Sequence, residues 1–186
     1  MFIFSSMKMD IYEFLEELQK EILDMLLSKC VLEEKYYQLC LEENRDAAIE
    51  IRKMDFSNYI DHIAKGYNKA VCLQNNYPIK AIYFEYDMYN DWQTQCFLSD
   101  NYNNIQQLDD DWACSWCEDF FLTDFEKLSE IYKKYLRKFD TFVNLYLIVR
   151  TTLAFREAIG NNLNNNTAAI CVAFHDQSIV TRLKEN

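Results

Sequence analysis

Four groups of residues have types and spacings that chemistry can use. Cys114 and Cys117 form a C-S-W-C pair, and Asp109, Asp110 and Asp111 stand just before it, with Glu118 and Asp119 just after. His175 precedes Asp176, and Glu85 and Asp87 are two residues apart in an aromatic run. Each group implies a different reaction, and each needs partners. A structural zinc site takes four Cys or His ligands. Cys96 and Cys171 are isolated, and the remaining histidine besides His175 is His62, so no second pair completes C-S-W-C. A redox dithiol opens a helix directly after a strand, where the helix end lowers the thiol pKa. This pair follows a polar loop instead, so both cysteines read as small apolar residues. Consecutive aspartates point in divergent directions, and a calcium loop needs its glycine turn; no metal and no cofactor are expected. His175 with Asp176 could orient an imidazole for acid–base work on a Cys or Ser nucleophile. No nucleophile signature accompanies it, and no catalytic residue is expected. Glu85 and Asp87 share one face of a strand and line one edge of a patch.

The chain has 186 residues, half of them apolar and 16% aromatic. That excludes a disordered chain and allows a single domain over 1–186 with a core that stands without staples. Gly66 and Gly160 are the two glycines, so phosphate-cradling loops and Rossmann turns, which need clustered glycine, are excluded. Seven cysteines at irregular spacing suggest reduced thiols in the cytoplasm. The opening MFIFSSMKM lacks the pattern of a secretory signal, and no stretch reaches the ~18 apolar residues of a membrane span. No membrane partner is expected.

Charge is the most informative feature. Between Ala81 and Glu126 there is no Lys, Arg or His, while eleven acids stand there: Glu85, Asp87, Asp91, Asp100, Asp109, Asp110, Asp111, Glu118, Asp119, Asp124 and Glu126. Removing those eleven from the chain's 30 acids leaves 19, which the 19 Lys and Arg balance; this quarter therefore carries the whole net charge of −11. All three tryptophans, Trp92, Trp112 and Trp116, lie in the same stretch with nine Tyr and Phe residues. A merely solvated face mixes both signs, because like charges repel. Exclusion of positive charge points to a cationic partner, and a surface of this sign repels phosphates, so direct nucleic-acid binding is not expected.

These residues must be positioned by elements that periodicity and punctuation predict. Asp10 with Glu13 opens a helix to about residue 28, with Ile11, Phe14, Leu15, Leu18, Ile22 and Met25 at helical spacing. Helices follow over about 31–42 and 45–75, the latter with a break near 55–57. Asn75, Asn76 and Pro78 end them. Residues 79–87 and 92–99 then read as an antiparallel hairpin around Met88–Asp91. Residues 100–111 read as a polar connection. Thr123 with Glu126 matches a capping box, and one long helix is expected from there to Gly160. A second hairpin closes the chain around Asp176 and Gln177. The expected fold is α+β: a helical N-terminal half and a long C-terminal helix packed on a small, mainly antiparallel sheet.

The combination of AIYFEYDMYNDW, DDDWACSWCEDFF, a long helix and the closing CVAFHDQSIV, over about residues 79–183, resembles immunity proteins of bacterial polymorphic-toxin and contact-dependent growth-inhibition systems. The resemblance implies a cytoplasmic, non-catalytic inhibitor that binds a cognate toxin C-terminal domain, commonly a basic nuclease, and blocks its active site or substrate surface. The residues support such a partner independently, since nucleases are basic where they grip phosphate. On this reading Trp112 or Trp116, with Tyr89 on the hairpin tip, anchors the partner. Asp109, Asp110, Asp111, Glu118 and Asp119 pair with its Lys and Arg, and Glu85, Asp87 and Asp91 extend the surface. Two other classes remain: a generic interaction or DNA-mimic domain, and a small enzyme using His175 with carboxylates.

Overall fold

A computed structural model describes residues 11–23, 29–107, 109–135, 141–160, 166–177 and 180–186. Four helices come first: α1 (Ile11–Leu23), α2 (Lys29–Glu43), α3 (Arg45–Arg52) and α4 (Ser57–Leu73). Local chemistry explains their borders. Asn44 caps α3 by accepting from the Ala47 N–H, and the Asp55 carboxylate accepts from the backbone and hydroxyl of Ser57 at the start of α4. The expected break near 55–57 is thus the α3–α4 joint. Asp10, the expected cap of the first helix, lies outside the described residues.

Three strands follow, β1 (Ala81–Asp87), β2 (Gln93–Ser99) and β3 (Glu118–Thr123), then α5 (Glu126–Tyr135), α6 (Thr141–Ile159), β4 (Ala169–Phe174) and β5 (Thr181–Lys184). The sheet order is β3-β2-β1-β4-β5. Three pairings are antiparallel, and β1 with β4 is parallel, so the α+β sheet is mixed. Both expected hairpins form.

Two expectations are corrected. Thr123 ends β3 rather than capping a helix; its hydroxyl donates to Asp124 O, while the first helical bonds of α5 run to Phe125 O. The long C-terminal helix is not matched either, because the last helix, α6, is followed by β4 and β5. Nor are α5 and α6 one straight rod. The Trp92 indole N–H donates to Thr151 Oγ1 at 3.2 Å, and its ring lies 6.0 Å from that of Tyr132. On one straight helix residues 132 and 151 would stand about 28 Å apart, so the two helices fold back around Trp92.

The α-helices lie on one side of the sheet, where α1, α4 and α6 meet the strands and α2, α3 and α5 pack on other helices. Strand side chains alternate between faces, and Ile82, Phe84, Tyr86, Cys96, Leu98, Ile170 and Val172 join the helices in the main core. α6 is buried nearly all round, as a central helix must be. Its Arg150 pairs with Glu33 at 2.6 Å and donates to Met54 O, which ties α6 to α2 and to the α3–α4 joint. The opposite, outer face carries a second, smaller core: Ala81, Tyr83, Phe97, Trp112, Ala169, Cys171, Ala173 and Val180.

Candidate functional site

Register sets the outer face in rows across the strands. One row reads Asp119, Phe97, Tyr83, Cys171, Arg182, and the next reads Phe121, Gln95, Glu85, Ala173. The segment between β2 and β3, described at 100–107 and 109–117, covers the β5 end of the first row, from Arg182 to Tyr83, and leaves Asp119 at the β3 end exposed. Arg182 holds it there: its side chain is only 2% exposed, pairs with Asp110 at 2.5 Å and Glu185 at 3.2 Å, and donates to Tyr102 Oη and Asn103 O. Asp110 also accepts from the Val180 N–H. Trp112 descends onto Tyr83 and Tyr102, with ring centroids 6.1 and 5.0 Å away. This half is closed. The half holding Glu85, Asp87, Gln93, Gln95 and Phe121, together with Asp119 and Trp116 at the β3 end of the first row, has no such cover among the described residues, and it is open.

The eleven carboxylates therefore do not form one face. Asp110 answers the chain's own Arg182, so its expected role as partner to an external cation is corrected. Trp112 is also corrected: at 2% exposure it is core and offers no surface. Trp92, at 0%, is core as well. Asp91 turns toward the helices and pairs with Lys133 at 2.8 Å, and hydrogen bonding from that ammonium lowers its pKa. Asp87 accepts from the Tyr89 and Asn90 N–H groups and caps the β1–β2 turn. Asp109 accepts from the Asp111 N–H and from Asn103, shaping the covering segment, while Asp111 is exposed. Glu118 falls in the Leu98 row on the helix side of β3, and Asp119 falls on the outer side. Tyr89 is 66% exposed at the hairpin tip, its ring set edge-on 5.4 Å from Tyr132.

What remains together is a small surface along β3. Trp116 is 48% exposed and sits edge-on over Phe97 at 4.8 Å. Asp119 pairs with Phe97 across the strands, and Phe121, 56% exposed, stands one row on beside Gln95. Among the described residues no ion pair engages Asp87, Asp111, Glu118 or Asp119. The sequence reading missed Phe121 as a surface residue. The Phe120–Phe121 doublet held the signal: on a strand two adjacent rings face opposite sides, and Phe120 takes the core side.

The chemistry of the other candidates is also defined. His175 Nδ1 lies 2.9 Å from Glu85 Oε1, and Tyr83 donates to Glu85 Oε2 at 2.9 Å. The hydrogen bond that His175 donates to Glu85 raises the His175 pKa, and burial raises that of Tyr83. This Tyr–Glu–His chain resembles an acid–base relay, but His175 is more than half exposed and its neighbouring row, Tyr83–Phe97, is packed under Trp112. A cleft does occur on the helical layer, lined by Lys29, Glu33, Phe56, Arg150 and Glu157, and it contains none of these groups. Cys117 donates its thiol to Leu98 O, and burial raises its pKa, the opposite of a reactive dithiol. Among the described residues no three His, Cys, Asp or Glu converge as a metal requires, and no helix is long and apolar enough to cross a membrane.

Compared with protein-family models, curated proteins and solved structures, the chain matches none.

Proposed function

We propose that this chain is a non-catalytic immunity protein of the cytoplasm that binds and neutralises a cognate toxin domain, a basic nuclease. It docks that domain on the open half of its outer sheet face. The observation that carries the reading is the surface along β3: two large exposed rings, Trp116 and Phe121, beside Asp119, with no Lys or Arg in either row before the buried Arg182. Interface hot spots are enriched in Trp, and each contributes on the order of 2 kcal/mol. Unpaired carboxylates around them steer a cationic partner and speed encounter. Trp116 stands on Phe97 of the packed second core, so little conformational entropy is lost when it is covered.

Generic DNA mimicry is less well supported. It needs a rail of free carboxylates, and Glu85, Asp91 and Asp110 each answer a positive or titratable group of the chain itself. The test is growth rescue. Co-expression with the polypeptide encoded immediately upstream restores growth and gives a stable one-to-one complex. Trp116→Ala combined with Asp119→Lys abolishes both while the chain stays folded. An upstream product that is harmless, or rescue indifferent to the paired substitution, overturns the reading.

A further inference from the structure

The sheet has two edges, and they are finished differently. β5 is four residues long, and α1 lies along it. The Gln19 amide of α1 behaves as a surrogate strand: its Oε1 accepts from the Arg182 N–H at 2.5 Å and its Nε2 donates to Arg182 O at 3.1 Å. That edge is closed. β3, six residues long, pairs with β2 on one side and with no strand among the described residues on the other. A strand so placed presents alternate N–H and C=O groups away from the sheet, which makes it a template for another chain. Its position is fixed from below. Leu122 packs so close to α4 that a Cβ on Gly66 would collide with it, and Lys69 lies over the Phe120 ring at 3.8 Å.

We infer that β3 is a strand-addition site, taking an extended, Lys- or Arg-rich segment of a partner as a sixth strand. The inference rests on the docking face proposed above and adds its mode. The occupant follows from charge. Glu118 and Asp119 point to opposite sides of β3, so a basic residue on either side of an incoming strand meets a carboxylate. Phe121 and Trp116 offer apolar ground to the residues between. The same acids repel the β3 edge of a second copy, so the edge favours a cationic stranger over self-association.

The experiment uses the full chain and a synthetic ten-residue peptide of alternating Lys and Val. Amide hydrogen exchange, read residue by residue, is expected to slow at least tenfold across 118–122 when the peptide is added. N-methylation of four consecutive central residues removes donors from both edges of the peptide and is expected to weaken binding at least tenfold. A Glu/Val peptide of the same pattern is expected to bind at least tenfold more weakly. Protection that appears elsewhere, equal binding of the N-methylated peptide, or equal binding of the acidic peptide each overturns strand addition. The two readings fail separately. Growth rescue with β3 left unprotected by the peptide removes the mode and keeps the face, whereas β3 protection without rescue removes the toxin and keeps the edge.

Discussion

On the closed half of the outer face, acids and rings hold the molecule together; on the open half, the same residue types are left to solvent. Asp110 and Trp112 belong to the first, with Arg182 beneath them. Asp119, Trp116 and Phe121 belong to the second. The two sets are separated by fewer than ten residues of chain, so local composition does not distinguish them. What distinguishes them is Arg182, more than seventy residues downstream of Asp110, which the β1–β4–β5 order brings under one set and not the other. An acidic segment therefore indicates a cationic counterpart without saying whether the counterpart is external. Here Asp110 has an internal one in Arg182, and Asp119 has none among the described residues.

The largest way to break this comparison is to remove Arg182. Arg182→Ala leaves Asp110 half-buried beside Glu185 with no cation, and truncating one partner of a buried pair costs about 3–5 kcal/mol. Urea denaturation is expected to show that loss, with Trp112 emission shifting to the red as the covering segment lifts. Arg182→Ala with Asp110→Asn is expected to recover part of the loss. Additive losses would mean that the pair does not hold the segment down.

The next effect concerns the two sheet edges. Gln19→Leu orphans the Arg182 N–H and C=O in a buried position, at about 1–3 kcal/mol for each unsatisfied group. It also opens the β5 edge. A lowered denaturation midpoint together with concentration-dependent association in sedimentation is expected, because only β3 carries guarding acids. A destabilised chain that stays monomeric would show that the amide merely packs.

Much of this architecture was legible in the residues. Helical spacing, the Asn75–Pro78 punctuation and alternating aromatics place α1 to α4, both hairpins and the positive-φ Gly160 at the end of α6. Local pattern failed where distant contacts decide. The apolar run from Phe125 to Leu153 keeps helical period throughout, and nothing in it reports that Trp92 must touch both Tyr132 and Thr151. β3 was hidden because EDFFLT does not alternate: both its faces meet rings, and the Thr123–Glu126 spacing imitates a helix start. The division of the outer face into exposed and buried residues was half legible for the same reason. Composition offers Trp112 or Trp116, with Asp110 and Asp119, as surface; Trp116 and Asp119 are exposed, whereas assigning Trp112 and Asp110 to the interior requires the register of β5.

On the open half, Trp116→Ala is expected to leave stability within about 0.5 kcal/mol of the parent, as exposed substitutions do. It should cost about 2 kcal/mol in binding the cationic partner. Calorimetry on the complex and denaturation of the free chain separate the two. Trp112→Ala is the counterpart: it removes a buried indole and is expected to cost about 3–5 kcal/mol of stability. If both substitutions acted alike, the division of the face would be false.

The smallest effect belongs to His175, which sits where the open half meets the β4–β5 turn. The Glu85 carboxylate accepts its Nδ1 proton and favours imidazolium, so the folded pKa lies above the ordinary 6.5. A pKa raised by folding adds stability that is fully present below the unfolded value and is lost as pH rises through the folded one. The contribution is small, because the ring is more than half exposed and solvent screens the pair. The His175 ring protons, followed by NMR, are expected to titrate above pH 6.5 in the parent and to fall back in Glu85→Gln. A bound cationic partner shifts the same midpoint downward if it docks on this half, since an approaching positive charge disfavours imidazolium. A midpoint that ignores the partner would move docking away from Glu85 toward the β3 border alone.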